Sequence, residues 1–195
     1  MVFLFSVSCC LFYAWITDSL FIIFFCIERK KKLISLKILE MNRCMAKLLK
    51  GDSFDSFLLK EGFLRTNMEF RFQGKQFLEY FEAKEQEQIT QEYVFWKEVK
   101  PVIFELVKGK RTPLAFSFTL FLTKEQRDEL LLREAVAIGE DNPTLFLQIR
   151  FEHGVGRIIT GMGRAIFTLD KMLEETWDLE VKRLLHQMEI VVEQE

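Results

Sequence analysis

The chain has 195 residues, of which 49% are hydrophobic and 29% are charged. This composition excludes a disordered, collagen-like or low-complexity chain, and the length suits one domain, with or without an added membrane segment. A net charge of −2 gives no bulk electrostatic support for binding nucleic acid or acidic membranes. Four cysteines scattered over this length do not indicate a disulfide framework.

Residues 1–32 differ in composition from the rest of the chain. Up to Ile27 they are mainly apolar and carry a single charge, Asp18, and a charged run follows at residues 28–32. One interpretation is a membrane anchor, since about 20 apolar residues span a bilayer. Another is a start codon set too early, because Glu28-Arg29-Lys30 can be encoded by a purine run like a ribosome-binding site and Leu33 by an alternative start codon. A cleaved signal is disfavoured, because the segment has neither a basic beginning nor a small-residue cleavage site.

Residues 33–195 form the predicted domain. The membrane-anchor and early-start interpretations of the segment before it both place this domain in the cytoplasm. In the anchor interpretation, the basic residues at 29–32 lie on the cytoplasmic side of a single-pass membrane protein. In the early-start interpretation, the apolar segment is absent from the cell. A contact with membrane is therefore expected only if residues 1–27 are translated.

The first half of the domain contains alternating and helical hydrophobic patterns. They predict a strand at 33–39, a helix at 41–49 ended by Gly51, strands at 54–59 and 63–72 around a turn at Glu61-Gly62, and a helix at 93–108. Pro101 predicts a kink or a restart within that helix. Residues 75–90 are ambiguous, with Phe77, Tyr80 and Phe81 as their only expected core anchors.

The second half begins with a predicted strand at 114–122. Thr123 and Gln126 form a capping-box pattern that predicts a helix at 124–137. A hairpin is expected next, with strands at 145–152 and 157–167 around His153-Gly154-Val155-Gly156. Thr168 or Asp170 is expected to cap a last helix that reaches residue 192, with an apolar stripe of Leu173, Trp177, Val181, Leu184, Met188 and Val191.

These elements predict an α+β fold, with a mainly antiparallel sheet and helices packed on one face. The order strand-helix-strand-strand occurs at 33–73 and again at 114–167, a duplicated βαββ unit of the kind that sliding-clamp domains use. Neither a dinucleotide glycine fingerprint nor a P-loop occurs in the sequence, which argues against a doubly wound nucleotide-binding fold.

Few residues offer catalytic or metal-binding chemistry. The two histidines, His153 and His186, have none of the spacings typical of zinc sites, so neither a metal nor a cofactor is predicted. Cys44 lies beside Met45 on a predicted helix and is interpreted as a buried structural thiol.

Three other conspicuous features favour structural roles. Gly161-Met162-Gly163 lies within a predicted strand and lacks the following helix of a phosphate loop, so we expect close backbone packing or a bulge there. Trp96 and Trp177 lie on the apolar stripes of their helices, and we expect both to fill the core.

Lys108, Lys110 and Arg111 are the candidate binding residues. They fall within four positions at a loop held by Gly109 and Pro113, in a domain that is acidic overall. Basic residues also favour a helix C-terminus, where glycine commonly adopts the left-handed conformation. The alternative is a small anion-binding patch, to which Lys97 and Lys100 would contribute.

Several segments suggest a family. They read "LISLKI", "KLLKGDSFDSFLLKEG", "WKEVKP", "LVKGKRTPL", "FLQIRF" and "IFTLDKMLEETWD". In this order they resemble an uncharacterised domain family of clostridia-like bacteria, over roughly residues 33–188. The resemblance implies no activity, ligand or catalytic residue, because the family has none assigned.

We therefore expect a cytoplasmic, non-enzymatic binding domain whose partner is a protein or another anionic molecule. One alternative is a clamp-like protein associated with nucleic acid. The other is a small-molecule enzyme, for which the only plausible contributors are Glu61, Glu69, Arg71, His153 and Arg157. A deep pocket with perturbed carboxylates would favour the enzyme, and a flat or grooved sheet surface would favour binding.

Overall fold

The computed structural model describes residues 34–109, 111–136, 143–163 and 172–195. Within these ranges the chain forms seven strands: β1 (Ser35–Ile38), β2 (Leu58–Arg65), β3 (Glu69–Gln73), β4 (Ala115–Phe121), β5 (Thr144–Glu152), β6 (Val155–Gly163) and β7 (Val192–Gln194). The same ranges contain five α-helices: α1 (Met41–Leu49), α2 (Ala83–Gln86), α3 (Trp96–Val107), α4 (Lys124–Arg133) and α5 (Met172–Gln187).

The seven strands form one sheet in the order β3-β2-β4-β5-β6-β1-β7. Every neighbouring pair is antiparallel. The predicted α+β class with an antiparallel sheet is confirmed. Because successive side chains of a strand point to opposite faces, this register assigns each strand residue to one of two faces.

One face of the sheet carries the core. On it, Phe118 and Ile149 are fully buried, and so are Trp96 of α3 and Val181 of α5. The ring centroids of Trp96 and Phe118 lie 5.1 Å apart. Buried residues of α1, α3, α4 and α5 all join this one cluster, which confirms the prediction that helices cover one face. The opposite face, on which none of these four helices packs, is called the open face.

The predicted βαββ order is present twice, as β1-α1-β2-β3 and as β4-α4-β5-β6. The strand pairing differs between the two units. β4 pairs with β5 of its own unit, whereas β1 pairs with β6 and β7. The units therefore share an order of elements but not a pattern of hydrogen bonds.

The predicted turn at Glu61-Gly62 is wrong. β2 runs through both residues, and the chain reverses at 66–68, where the Thr66 amide donates to the Met68 carbonyl at 2.8 Å. Gly62 serves packing, because a Cβ there would lie 3.0 Å from the Phe118 ring and 3.2 Å from the Phe72 ring. Gly62 therefore allows neighbouring side chains to pack closely against β2, and it does not mark a turn.

The segment before β2 also differs from the prediction. Residues 54–57 form turns instead of a strand, and Phe54 and Phe57 are buried from there, with ring centroids 5.9 Å apart. Phe77 and Tyr80 are not core anchors, since they are 62% and 85% exposed. Apolar side chains in irregular segments carry no periodicity that would tell buried from exposed ones.

The helix boundaries are partly as predicted. The capping box of α4 is confirmed: the Gln126 amide donates to Thr123 Oγ1 at 3.2 Å, and the Thr123 amide donates to Gln126 Oε1 at 3.0 Å. α3 continues through Pro101, which excludes the restart, and the alternative of a kink stays a prediction. The predicted end of α4 at 137 is wrong, because the helix stops at Arg133 and Ala135 adopts a left-handed φ of 51°. The proposed caps Thr168 and Asp170 lie outside the described residues.

The β5–β6 hairpin is confirmed and has a two-residue turn. His153 and Gly154 have φ angles of 52° and 79°, the pair of positive values that a type I′ turn requires. β6 is described as far as Gly163, so the predicted stretch to residue 167 continues beyond the described part of the chain.

The last helix ends earlier than predicted. α5 stops at Gln187, Glu189 adopts a left-handed φ of 57°, and the Ile190 amide donates back to the Leu185 carbonyl at 2.9 Å. Val191, expected on the helical stripe, is 45% exposed. The chain then forms β7, an unpredicted strand that pairs with β1.

Residues 34–195 form one compact unit, which contains all the elements above. Within the described ranges, none of the helices combines the length and the apolar character that a membrane crossing requires. The interpretations of residues 1–32 concern a segment outside these ranges and stay predictions.

Candidate functional site

The loop after α3 was the predicted binding site. Lys108 Nζ pairs with Glu105 one turn earlier, at 3.2 Å, and Arg111 is exposed. Lys110 lies outside the described residues. Gly109 follows the helix as predicted, but its φ of 159° is not the left-handed value of a helix cap. The structure thus leaves the binding role of Lys108, Lys110 and Arg111 a prediction.

The two lysines expected to extend this patch are engaged elsewhere. Lys100 forms an ion pair with Asp55 and donates to the Gly51 carbonyl at 2.7 Å, and its side chain is only 15% exposed. Lys97 Nζ lies over the Phe95 ring, 5.0 Å from its centroid. Lys100 therefore stabilises the turn after α1 and is not available to a ligand.

The residues considered for an enzyme do not converge. Glu61, Arg71 and Arg157 lie on the open face, but Arg71 is on β3 and Arg157 on β6, four strand spacings or about 19 Å apart. Glu69 is held by Arg71 at 2.8 Å, and His153 is 91% exposed in the hairpin turn. They share a face without forming a reaction centre.

A small pocket of about 190 Å³ lies between α4, α5 and the turn at 53–57. Trp177 and Phe57 contribute apolar surface, and Arg133 and Glu180 contribute charge. The Trp177 indole N–H is already used, since it donates to the Phe146 carbonyl at 2.9 Å.

Glu180 joins the two helices at this pocket. Its carboxylate accepts from Arg133 Nη2 at 2.6 Å and from Arg183 Nη2 at 2.6 Å, and its side chain is 11% exposed. Partial burial raises the pKa of Glu180, but the hydrogen bonds from Arg183 and Arg133 outweigh it, so the pKa is lowered. A general acid at neutral pH needs a raised pKa, so this carboxylate suits a structural ion pair.

The other candidates have structural roles. Cys44 is fully buried, and burial raises the pKa of its thiol to about 12. Gly161 lies in β6, and a Cβ there would come within 2.3 Å of the Phe146 ring, which confirms close packing. Trp96 and Trp177 are confirmed as core residues. In the described part of the chain, no group of His, Cys, Asp and Glu side chains is arranged to hold a metal ion.

The open face carries a row of cations on three neighbouring strands. Lys37 of β1 lies directly opposite Arg157 of β6, and Arg157 lies directly opposite Arg150 of β5. At the usual strand spacing the three Cα atoms span about 10 Å. We call Lys37, Arg157 and Arg150 the cationic row. Like charges placed directly opposite destabilise a sheet, so this arrangement has a cost in stability.

This alignment of directly opposed residues continues across β4, β2 and β3. Arg150 is opposite Ser117 of β4, Ser117 is opposite Phe63 of β2, and Phe63 is opposite Arg71 of β3. The guanidinium carbons of Arg65 and Arg71 lie 5.2 and 5.8 Å from the Phe63 ring centroid. A polar and aromatic surface thus extends the cationic row.

Glutamates beside these aligned residues partly neutralise their positive charge. The Arg150 guanidinium donates a hydrogen bond to the Glu152 carboxylate and lowers the pKa of that carboxyl, chiefly through this hydrogen bond. Arg157 does the same to Glu195, with Nε 2.8 Å from Oε2. Arg150 and Arg157 are nevertheless 50% and 38% exposed, so both side chains stay partly accessible to solvent.

The sequence analysis missed the cationic row. Each member occupies an outward position in an alternating strand, which is the usual place for a solvated lysine or arginine. The signal would have been the alignment of these positions across three strands, and that alignment depends on the pairing of β1 with β6, which are about 120 residues apart in the chain.

Comparisons with known proteins identify a family. No curated protein and no solved structure matches the chain. A family model matches residues 47–193, which covers most of the chain and includes β2 to β6 and all but the last residue of β7. The predicted resemblance to an uncharacterised family is confirmed by this match, and the bacterial group stays a prediction. The chain belongs to DUF5721, a family of unknown function.

Proposed function

We propose that this protein is a cytoplasmic, non-enzymatic binding domain whose open face takes an acidic segment of another protein. The observation that supports the proposal is the cationic row, Lys37, Arg157 and Arg150, on three adjacent strands. Guanidinium groups bind carboxylates through paired N–H donors, and two of the three cations are arginine.

The charge balance of the open face favours a protein partner over nucleic acid. Among the described strand residues, each of the four arginines on this face is bonded to a glutamate: Arg65 and Arg71 to Glu69, Arg150 to Glu152, and Arg157 to Glu195. Nucleic-acid affinity rises with the number of phosphates that unpaired cations neutralise. A short acidic segment needs only the partly accessible side chains of Arg150 and Arg157.

Direct binding to a defined probe tests the proposal. We expect a fluorescein-labelled octaglutamate peptide to bind the full chain, with an affinity that falls as salt rises, because exposed charges are screened beyond about 10 Å at 0.1 M salt. Replacing Arg150→Gln together with Arg157→Gln should weaken binding about tenfold, since carboxylate recognition is lost. Fluorescence anisotropy gives both affinities.

The matched control is Lys84→Gln with Lys124→Gln, which removes two exposed cations from α2 and α4. It should bind the peptide as the native chain does, and circular dichroism should show that both variants are folded. Equal binding by the two double variants would overturn the proposal. Binding of a short oligothymidine in place of the peptide would assign the face to nucleic acid.

A further inference from the structure

β7 places two glutamates of this chain beside the cationic row. Glu193 lies directly opposite Lys37, and the next residue on the same face is Glu195. The Glu195 amide donates to the Ser35 carbonyl at 3.1 Å, and its carboxylate accepts from Arg157 Nε and Nη2 at 2.8 and 3.2 Å. The Glu195 carboxylate thus occupies Arg157, the central cation of the row, and Glu193 lies opposite Lys37 at its end.

The spacing of these glutamates indicates what the row recognises. Alternate residues of a strand point to the same face and lie about 6.7 Å apart, so Glu193 and Glu195 present two carboxylates in one line. Gln194, between them, points to the other face, where Lys182 Nζ donates to its Oε1 at 2.9 Å. The Ser35 hydroxyl also donates to Glu195 Oε2, at 3.1 Å.

On the basis of the proposed function, we propose that β7 competes with the partner for the cationic row. The partner is an extended segment with Glu or Asp at alternate positions. Its carboxylates displace that of Glu195 from Arg157 and take the place of Glu193 opposite Lys37.

The structure makes such an exchange easy. β7 has three residues and, among the strands that the structure describes, pairs only with β1, at the edge of the sheet. The ion pair between Arg157 and Glu195 is exposed at 38% and 36%, and exposed ion pairs contribute little to stability. The carboxylates can therefore leave the row without unfolding of the core strands.

The test removes the competing charges and keeps the strand. Glu193→Gln with Glu195→Gln should bind the octaglutamate peptide about fivefold more tightly than the native chain, because two competing carboxylates are lost. Glu193→Gln alone should give a smaller increase in the same direction, and it serves if the double variant has a reduced melting temperature. Glu189→Gln is the control, since Glu189 pairs with Arg43 at 2.6 Å, away from the row, and should leave affinity unchanged.

The outcomes separate this inference from the proposed function. Peptide binding that depends on Arg150 and Arg157, but is equal or weaker in the Glu193 and Glu195 variants, would overturn the role of β7 and leave the proposed function intact. Absence of peptide binding in the native chain and in these variants would overturn both.

Discussion

Trp177 contributes both to core packing and to hydrogen bonding. It is 1% exposed, fills the space between α5 and the sheet, and donates its indole N–H to the Phe146 carbonyl at 2.9 Å. Its position on a helical stripe identified it as a core residue from sequence. The hydrogen bond could not be predicted, because it depends on how α5 lies across β5.

We expect Trp177→Ala to lower the free energy of unfolding by roughly 3–5 kcal/mol, as for other buried aromatic truncations. Trp177→Phe should lower it less, since an aromatic ring is kept, although the hydrogen bond to Phe146 and part of the buried volume are lost. Urea denaturation followed by circular dichroism measures both. A loss below about 1 kcal/mol for Trp177→Ala would contradict the packing described.

The Glu180 ion pairs lead to a prediction about acid stability. Because the hydrogen bonds from Arg183 and Arg133 outweigh the effect of burial and lower the pKa of Glu180, its contribution is complete above the ordinary glutamate pKa and is lost as pH falls through the lowered value. Glu180→Gln should therefore be less stable than the native chain at neutral pH, with a difference that shrinks in acid. Thermal melts from pH 7 downward measure this, and a difference independent of pH would contradict it.

At the scale of elements, the alternating and helical patterns predicted most strands and helices. Where they failed, tertiary contacts decided the structure. Glycine is typical of turns, yet Gly62 lies within β2. There the Phe118 ring occupies the space that a side chain would need. β7 was hidden because Val191 and the preceding Met188 continue the helical spacing of α5, while the left-handed Glu189 ends the helix.

β6 provides a direct test of close packing between strands. A Cβ at Gly161 would lie 2.3 Å from the Phe146 ring of β5, so Gly161→Ala should destabilise the protein, by roughly 1–3 kcal/mol on the scale of other overpacked sites. Adding Phe146→Leu should recover part of that loss, because the ring is what the methyl group meets. A double-mutant cycle by urea denaturation tests this, and strictly additive losses would show that the ring is not the obstacle.

At the scale of the whole molecule, the sheet order creates the candidate site. Lys37, Arg150 and Arg157 are each ordinary outward residues of separate strands. Arg150 and Arg157 face each other across the β5–β6 hairpin, and Lys37 joins them because β1 inserts between β6 and β7. Sequence reasoning proposed a basic binding site at Lys108, Lys110 and Arg111, where the basic residues are close in sequence, and that site stays a prediction beside the cationic row. Pairing over long chain separations is what it could not supply.

Backbone amide chemical-shift mapping tests the central claim most directly. On addition of octaglutamate to the full chain, we expect shifts concentrated in β1, β5 and β6 around Lys37, Arg150 and Arg157, with smaller shifts in β7 as its glutamates are displaced. The amides of α3 and of the pocket between α4 and α5 should stay unchanged. Shifts centred on Lys108 and Arg111, or on the pocket around Glu180, with the cationic row unaffected, would contradict the account.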